Sequence, residues 1–315
     1  MTPFIGGCLP LETGKAPFFH KNALLYNSGR NALRAVLRRL KIKRLYVPAF
    51  TCPVVFDAVR AENVTPVFYD LNDDLTPAGD IPDDAVLLMN DRFGTTGAIV
   101  EKVVAAHPLT VVDAAQAFFA PKRGLATVYS PRKFFGLPDG GAAVCDFLTP
   151  DDLPAERDFS YDRMAHLLVA ADLDAEKADD DFIKNEDSLN DFPVMRMSRL
   201  TESLLGNIDY DFVRKRRLDN FSVLHKALAP FNLLKISMTA CDVPMFYPFM
   251  TDKPFAVRKK LLKAGIDTPI YWPDIEKTAG DMRRSVDFRD KIVPLPLDQR
   301  YDQAGMTRVV EAILN

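Results

Sequence analysis

The residues of this 315-residue chain that could do chemistry begin with Lys133, in the run Val128-Tyr-Ser-Pro-Arg-Lys-Phe-Phe-Gly136. It is flanked by aromatic side chains and followed by Asp139-Gly-Gly141. An amine held near apolar surface loses its proton more easily and becomes a nucleophile towards a carbonyl carbon. Upstream, Asp113 ends the apolar run Leu109-Thr-Val-Val-Asp113. A carboxylate at the carboxyl end of a strand faces the place where open α/β sheets bind ligands, and it can keep a pyridine nitrogen protonated. Gln116, three residues on, could bond a ring substituent or only the backbone. Further upstream, Ser28-Gly-Arg30 opens a helix, whose free N–H groups and positive end attract phosphate. Gly29 permits close approach there, and Arg30 adds charge. Ser130 offers a hydroxyl as a second phosphate ligand. An amine for an aldehyde, a carboxylate for a ring nitrogen and a cradle for a phosphate are the parts a protein supplies to pyridoxal 5'-phosphate (PLP). Each part also has an ordinary reading: a surface lysine between strands, an aspartate capping the next turn, and the N-terminus that every helix has.

Elements that could position these groups are visible in the pattern. Ser28 to Leu40 predicts a helix, with Ala32, Leu33, Val36, Leu37 and Leu40 on one face and Ser28 as N-cap. Short apolar runs predict buried strands at 44–47, 66–69, 85–89, 110–112, 126–129 and 142–145, with helices at 53–61 and 99–107 between them. This alternation predicts an α/β domain around a mainly parallel sheet. The stretch 151–191 is strongly acidic and reads as a solvated helical excursion, with a partner-binding surface as the alternative. Met197 to Asp219 predicts one long helix, whose basic run Arg214-Lys-Arg-Arg217 would face water or a phosphate. From Phe221 the pattern is α+β: a helix to Leu228, the apolar segment 243–249, a helix at 254–264 and a last helix beginning near Tyr301. The expected organisation is a large domain over 1–220, which includes the acidic excursion, and a small C-terminal domain over 221–315.

Composition narrows the class. Hydrophobic residues make up 48% of the chain, enough for a substantial core, and a net charge of −3 argues against a general nucleic-acid binder. Cys8, Cys52, Cys145 and Cys241 are scattered, with no CxxC pair, which suggests neither a zinc site nor a disulfide framework and fits a reducing cytoplasm. The first residues have no basic stretch leading into an apolar one, so no signal peptide is expected. No run of about 18 apolar residues exists, so no membrane span is expected. The four histidines are not paired at metal-ligand spacing. Neither a GxGxxG following a strand nor a GxxxxGK[ST] is present.

Taken together, the segments resemble the DegT/DnrJ/EryC1/StrS family of fold-type-I PLP enzymes, which includes nucleotide-sugar aminotransferases. Asn27-Ser-Gly-Arg-Asn-Ala-Leu33 is similar to the family's opening SG-x-x-AL, and Val47-Pro-Ala-Phe-Thr-Cys-Pro53 to its P-x-[FY]-T segment. Val67-Phe-Tyr-Asp70 matches V-F-x-D, and Asp113-Ala-Ala-Gln-Ala117 matches D-A-A-Q-A. Ser130-Pro-Arg-Lys133 with Gly140-Gly141 matches S-x-x-K and the glycines after it. Arg196-Met-Ser198, Gly265-Ile-Asp267 and Leu295-Pro-Leu-Asp298 continue the likeness in the same order. Two positions depart from the pattern: Cys52 stands where an aromatic residue often stacks on the cofactor, and Val194 where an asparagine reaches the partner subunit's phosphate.

The resemblance implies a fold-type-I transferase with a seven-stranded-type, mainly parallel sheet and a smaller α+β C-terminal domain. It implies that Lys133 bonds the cofactor aldehyde, Asp113 pairs with the ring nitrogen and Gln116 contacts the ring region. Gly29, Arg30 and Ser130 would hold the phosphate, with Cys52 beside the ring. The activity it implies moves an amino group from an amino acid, glutamate, to a keto group of a nucleotide-linked sugar. A homodimer in the cytoplasm, serving polysaccharide or antibiotic-sugar synthesis, would go with it. Cys52 and Val194 keep open a lyase or an aminotransferase for a non-sugar substrate, and the short chain with its acidic insert keeps open a non-catalytic homologue that uses the scaffold for binding.

Overall fold

Six of the short apolar runs become strands of one sheet in the computed structural model, which describes residues 9, 11–190, 193–275, 277, 280 and 282–315. Cys8, the amino-terminal stretch and the last residue of the acidic segment lie outside the described residues. The strands are β1 (Leu24–Tyr26), β2 (Arg44–Pro48), β3 (Thr65–Leu71), β4 (Pro77–Ala78), β5 (Leu87–Asn90), β6 (Thr110–Asp113), β7 (Ala126–Tyr129) and β8 (Gly141–Cys145). Their order is β1-β8-β7-β6-β5-β2-β3-β4. The five central strands run parallel, from β3 through β2, β5 and β6 to β7, while β8, β1 and β4 pair antiparallel at the edges. Two short edge strands, β1 and β4, are what the sequence pattern did not reveal; three and two residues are too few for a periodicity.

Every residue of β5 and β7 is buried, which is why these segments read as continuous apolar runs rather than alternating ones. Leu87 and Met89 join the core on one face with Val112, and Leu88 joins the core on the other with Val111 and Val128. Helices α1 (Gly29–Leu40) and α2 (Pro53–Ala61) cover that second face through Leu33, Val36, Leu37, Val55 and Val59. The Ser28 hydroxyl caps α1 by accepting from the Asn31 amide at 3.1 Å.

Strand order reverses between β2 and β5: the chain leaves β2 for β3 on one side, then returns to place β5, β6 and β7 on the other. Such a switch point leaves a crevice beyond the carboxyl ends of the strands, because the connections there diverge to opposite sides.

A second, two-stranded antiparallel sheet pairs β9 (Phe246–Met250) with β10 (Ile292–Pro296). Tyr247, Phe249, Val293 and Leu295 share its core with Leu224, Leu261, Met306 and Val309, from the helices Tyr210–Leu228, Pro254–Lys263 and Gln303–Leu314. The helix Tyr210–Leu228 runs unbroken through residue 220.

The single helix expected over 197–219 is instead two, Arg199–Leu205 and Tyr210–Leu228. Asp209 starts the second by accepting from the Phe212 amide at 2.9 Å, a stronger local signal than the apolar period spanning the break. Nor do all the basic residues there face water. Arg217 is 2% exposed, lies 4.5 Å from the Phe134 ring centroid, and donates to the Pro244 and Met245 carbonyls and to Gln299.

Candidate active site

The crevice at the switch point is a cavity of about 290 Å³, small-molecule in scale, that gathers six of the seven residues singled out from the sequence. Gly29, Arg30, Cys52, Asp113, Ser130 and Lys133 all line it. The elements explain the convergence. Cys52 precedes α2, just past the end of β2. Asp113 closes β6, and Ser130 with Lys133 follows the end of β7 in a single turn, Pro131–Lys133. Gly29 begins α1, brought alongside by the pairing of Ser28 with Gly140.

Asp113 sits in a fixed polar setting. Its Oδ2 accepts from Asn90 Nδ2 at 2.8 Å, and its Oδ1 accepts from the Ala115 amide at 2.9 Å. The turn-capping alternative is therefore real, but it occupies only one oxygen. Asn90 Nδ2 also donates to Thr51 Oγ1 at 2.9 Å. Thr51 and Asn90 were not singled out from the sequence. The parallel register that sets Asn90 beside Asp113 on the adjacent strand is what reveals Asn90, together with its place at the carboxyl end of an apolar run.

Lys133 is exposed on the cleft, and among the described residues its side-chain amine has no hydrogen bond or ion pair, while its backbone amide donates to the Ser130 carbonyl at 3.1 Å. The flanking aromatics do not bury it. Phe134 and Phe135 turn the other way, into a cluster with Phe118 and Phe119, and the tight turn leaves the amine outward.

The phosphate-facing parts are closely built. A methyl group added at Gly29 would lie 3.2 Å from Ser130 Cβ and 3.5 Å from its hydroxyl, so glycine at position 29 lets the start of α1 and the Ser130 hydroxyl come together without crowding. Arg30 lines the cleft, but its guanidinium donates to the Asn190 carbonyl at 2.7 Å, to Asn190 Oδ1 at 2.8 Å and to the Leu189 carbonyl at 3.5 Å. Arg132 pairs with Glu186. Both partners belong to the end of the acidic segment, which reaches the cleft instead of standing wholly in water.

Gln116 is the residue the structure does not bring to the cleft wall. It is 5% exposed, and its Oε1 accepts from the Phe93 amide at 2.9 Å, while Nε2 is buried with no acceptor among the described residues.

These residues fit PLP. A primary amine, an anchored carboxylate, a hydroxyl and a helix N-terminus meet in one cavity, and the glycine at position 29 keeps the Ser130 hydroxyl close to that N-terminus. No grouping of histidine, cysteine and acidic side chains able to hold a metal occurs among the described residues, and no described helix is long and apolar enough to cross a membrane.

No protein-family model matches the sequence, and no curated protein matches it. Solved structures do. A protein of Streptococcus pneumoniae assigned as a sugar aminotransferase, in its PMP form, is 15% identical with a TM-score of 0.64, over 92% of this chain and 86% of its own. A DegT DnrJ EryC1 StrS aminotransferase from Brucella abortus is 16% identical with a TM-score of 0.63, over 94% and 85%. DesV of S. venezuelae is 21% identical with a TM-score of 0.62, over 92% and 83%. The chain shares the fold of these enzymes across nearly its full length.

Proposed function

We propose that the chain is a PLP-dependent aminotransferase that moves an amino group from an amino acid, glutamate, to a keto group of a nucleotide-linked sugar. The observation that carries this reading is the meeting of Lys133, Asp113, Ser130 and the start of α1 in one cleft, at the switch point of the sheet. Proteins of the same fold with aminotransferase names, among them one solved in PLP and PMP forms, support it.

When bound, PLP supplies an aldehyde that takes up amines and a ring that accepts electrons from the substrate carbon. Lys133 Nζ would hold the cofactor and, once released, carry a proton at that same atom as general base and then as general acid. Asp113 would keep its negative charge against the protonated ring nitrogen, with Asn90 and Ala115 fixing both its oxygens. Ser130 and the first turn of α1 would bind the phosphate. Arg30 would join them only by releasing Asn190. Cys52 would flank the ring, and Gln116 would act at one remove, by holding the Phe93 turn.

The proposal includes a homodimer, since Lys133 lies exposed on a cleft that a second subunit would close. It also includes a cytoplasmic setting, in keeping with the free thiols of Cys52, Cys145 and Cys241. Absorbance of the purified protein with added PLP tests the chemistry. A visible Schiff-base band is expected and should vanish in Lys133→Ala; a band that survives the substitution refutes the assignment. Glutamate alone should then convert the bound cofactor to its amine form, which a lyase would not accumulate.

A further inference from the structure

Arg92 is fully buried, it does not line the cleft, and the fold gives it few partners. Its Nη2 donates to the Phe50 carbonyl at 3.2 Å and to Asn90 Oδ1 at 3.4 Å, and its guanidinium lies 5.7 Å from the Phe50 ring centroid. Its Nε and Nη1 have no acceptor among the described residues. Burial pulls its pKa down to about 10, while Tyr69, Asp113 and Asp91 push the other way, so it remains a cation at neutral pH. A buried cation with idle donors costs stability relative to an apolar side chain of the same size. Packing therefore gives no reason for an arginine here.

The reason lies in the amide it touches. Arginine can only donate, so the atom of Asn90 that faces it must be the oxygen. The Asn90 NH2 is then turned to Asp113 Oδ2 and Thr51 Oγ1. With the guanidinium gone, the amide is free to rotate and present its oxygen to the carboxylate. Two acceptors facing each other favour protonation of the acid.

We propose that Arg92 is a positioning residue: it fixes the orientation of Asn90 and so keeps Asp113 a carboxylate towards the cleft. This rests on the reading of Asp113 as the partner of the PLP ring nitrogen. Asp91 turns its own carboxylate to Thr96 and Arg123, and Tyr69 donates to the Leu88 carbonyl, so neither replaces Arg92 against Asn90. On the cleft side the charged groups are Lys133, Arg30 held by Asn190, and Asp187 beside the Arg132–Glu186 pair, with the Cys52 thiol near them.

The test is PLP affinity against pH, measured by absorbance titration, for the native chain, Arg92→Met, Arg92→Lys and Asn90→Leu, with thermal melts to confirm folding. Affinity should fall at acid pH. In Arg92→Met and Asn90→Leu the midpoint of that fall should move up by about one pH unit, weakening PLP roughly tenfold on the acid limb. Arg92→Lys should restore at least half of the displacement, and Arg92→Met should melt no lower than the native chain. Should Arg92→Met fail to fold, Arg92→Leu takes its place, and an unmoved midpoint in folded Asn90→Leu overturns the proposal by itself. A limb unmoved in a folded variant, or moved as far by lysine as by methionine, overturns the proposal. Native protein that shows no Lys133-dependent PLP binding overturns the functional reading itself, and the proposal with it.

Discussion

Replacing Gly141 with alanine should damage both the fold and the phosphate end of the cleft, by an amount set by backbone geometry. A Cβ at position 141 would lie 2.1 Å from the carbonyl carbon and oxygen of Ser28 and 2.3 Å from the Gly29 nitrogen. Ordinary contact begins near 3.4 Å, and these are main-chain atoms that cannot swing aside as a side-chain tip can. The start of α1 and β8 must therefore part by roughly 1 Å, and such overpacking costs about 1–3 kcal/mol. The Gly140 amide donates to the Asn27 carbonyl at 2.8 Å, and Tyr26 pairs with Gly141 across β1 and β8. Losing one such bond adds about 1 kcal/mol, for a total of about 2–4 kcal/mol. Gly265→Ala is the control. Nothing lies within 4 Å of its Cβ, and only its φ of +69° is unfavourable, at about 1–2 kcal/mol.

Urea unfolding followed by circular dichroism compares the two. Under conditions where both variants are folded, Gly141→Ala should also weaken PLP binding tenfold or more, because the cradle has moved by the same ångström. Gly265→Ala should leave PLP binding unchanged. If the two alanines cost the same in urea and neither alters cofactor affinity, the close approach of Ser28 and Gly141 is not what shapes the site.

Other outcomes follow from acids that are buried or hold a helix end. Asp91, Asp242 and Glu101 converge on the one guanidinium of Arg123, at 3.1, 3.7 and 3.0 Å; burial, then the charge of Asp242, raises the Asp91 pKa to about 7. Its folded pKa lies above its unfolded value of 3.8, so folding favours the protonated form: its contribution is fully present below about pH 4 and fades as pH rises through 7. Urea midpoints at pH 5 and pH 8 should thus fall further for the native chain than for Asp91→Asn; equal slopes would contradict the reasoning. Asp70, at the end of β3, accepts from the Ser285 amide at 2.8 Å and the Arg284 amide at 3.1 Å, capping the helix Arg283–Lys291. Asp70→Ala should cost about 1–2 kcal/mol and speed amide exchange in that helix above all, which mass-resolved hydrogen exchange reads directly.

What the sequence made legible was what lies at the ends of elements with a clear period. Asp113 ends an apolar run, and Ser130 and Lys133 follow a strand, so their meeting at one sheet edge follows from a parallel sheet, while Ser28 and Gly29 were legible as the start of an amphipathic helix and reach that edge through the pairing of Ser28 with Gly140. Asn90 escaped notice because its importance comes from the register that sets it beside Asp113 on the neighbouring strand, and Thr51 because it meets Asn90 from the loop after β2. Asp70 was visible as a strand end, but not as the cap of a helix 214 residues away. Arg92 and Arg217 were hidden for the opposite reason. An arginine in a loop or on a helix reads as solvated, and only packing shows that Phe50 and Phe134 enclose them.

The acidic segment shows how composition and position can each be right about different residues. Its two longer helices, Ala165–Asp172 and Asp179–Ser188, leave Leu168, Phe182, Ile183 and most of their acids in water, as a charge-rich stretch should. The chain must nevertheless return from this excursion past the mouth of the cleft. There Asn185 donates to the Pro138 carbonyl at 3.0 Å, Glu186 meets Arg132, and Asn190 takes both ends of the Arg30 guanidinium. These contacts tie the return to the turn that carries Lys133 and to the helix that would receive the phosphate. An anion entering beside Arg30 or Arg132 must therefore displace a polar group already bonded there. The affinity of such a ligand is the difference between two charge-assisted interactions rather than the worth of one.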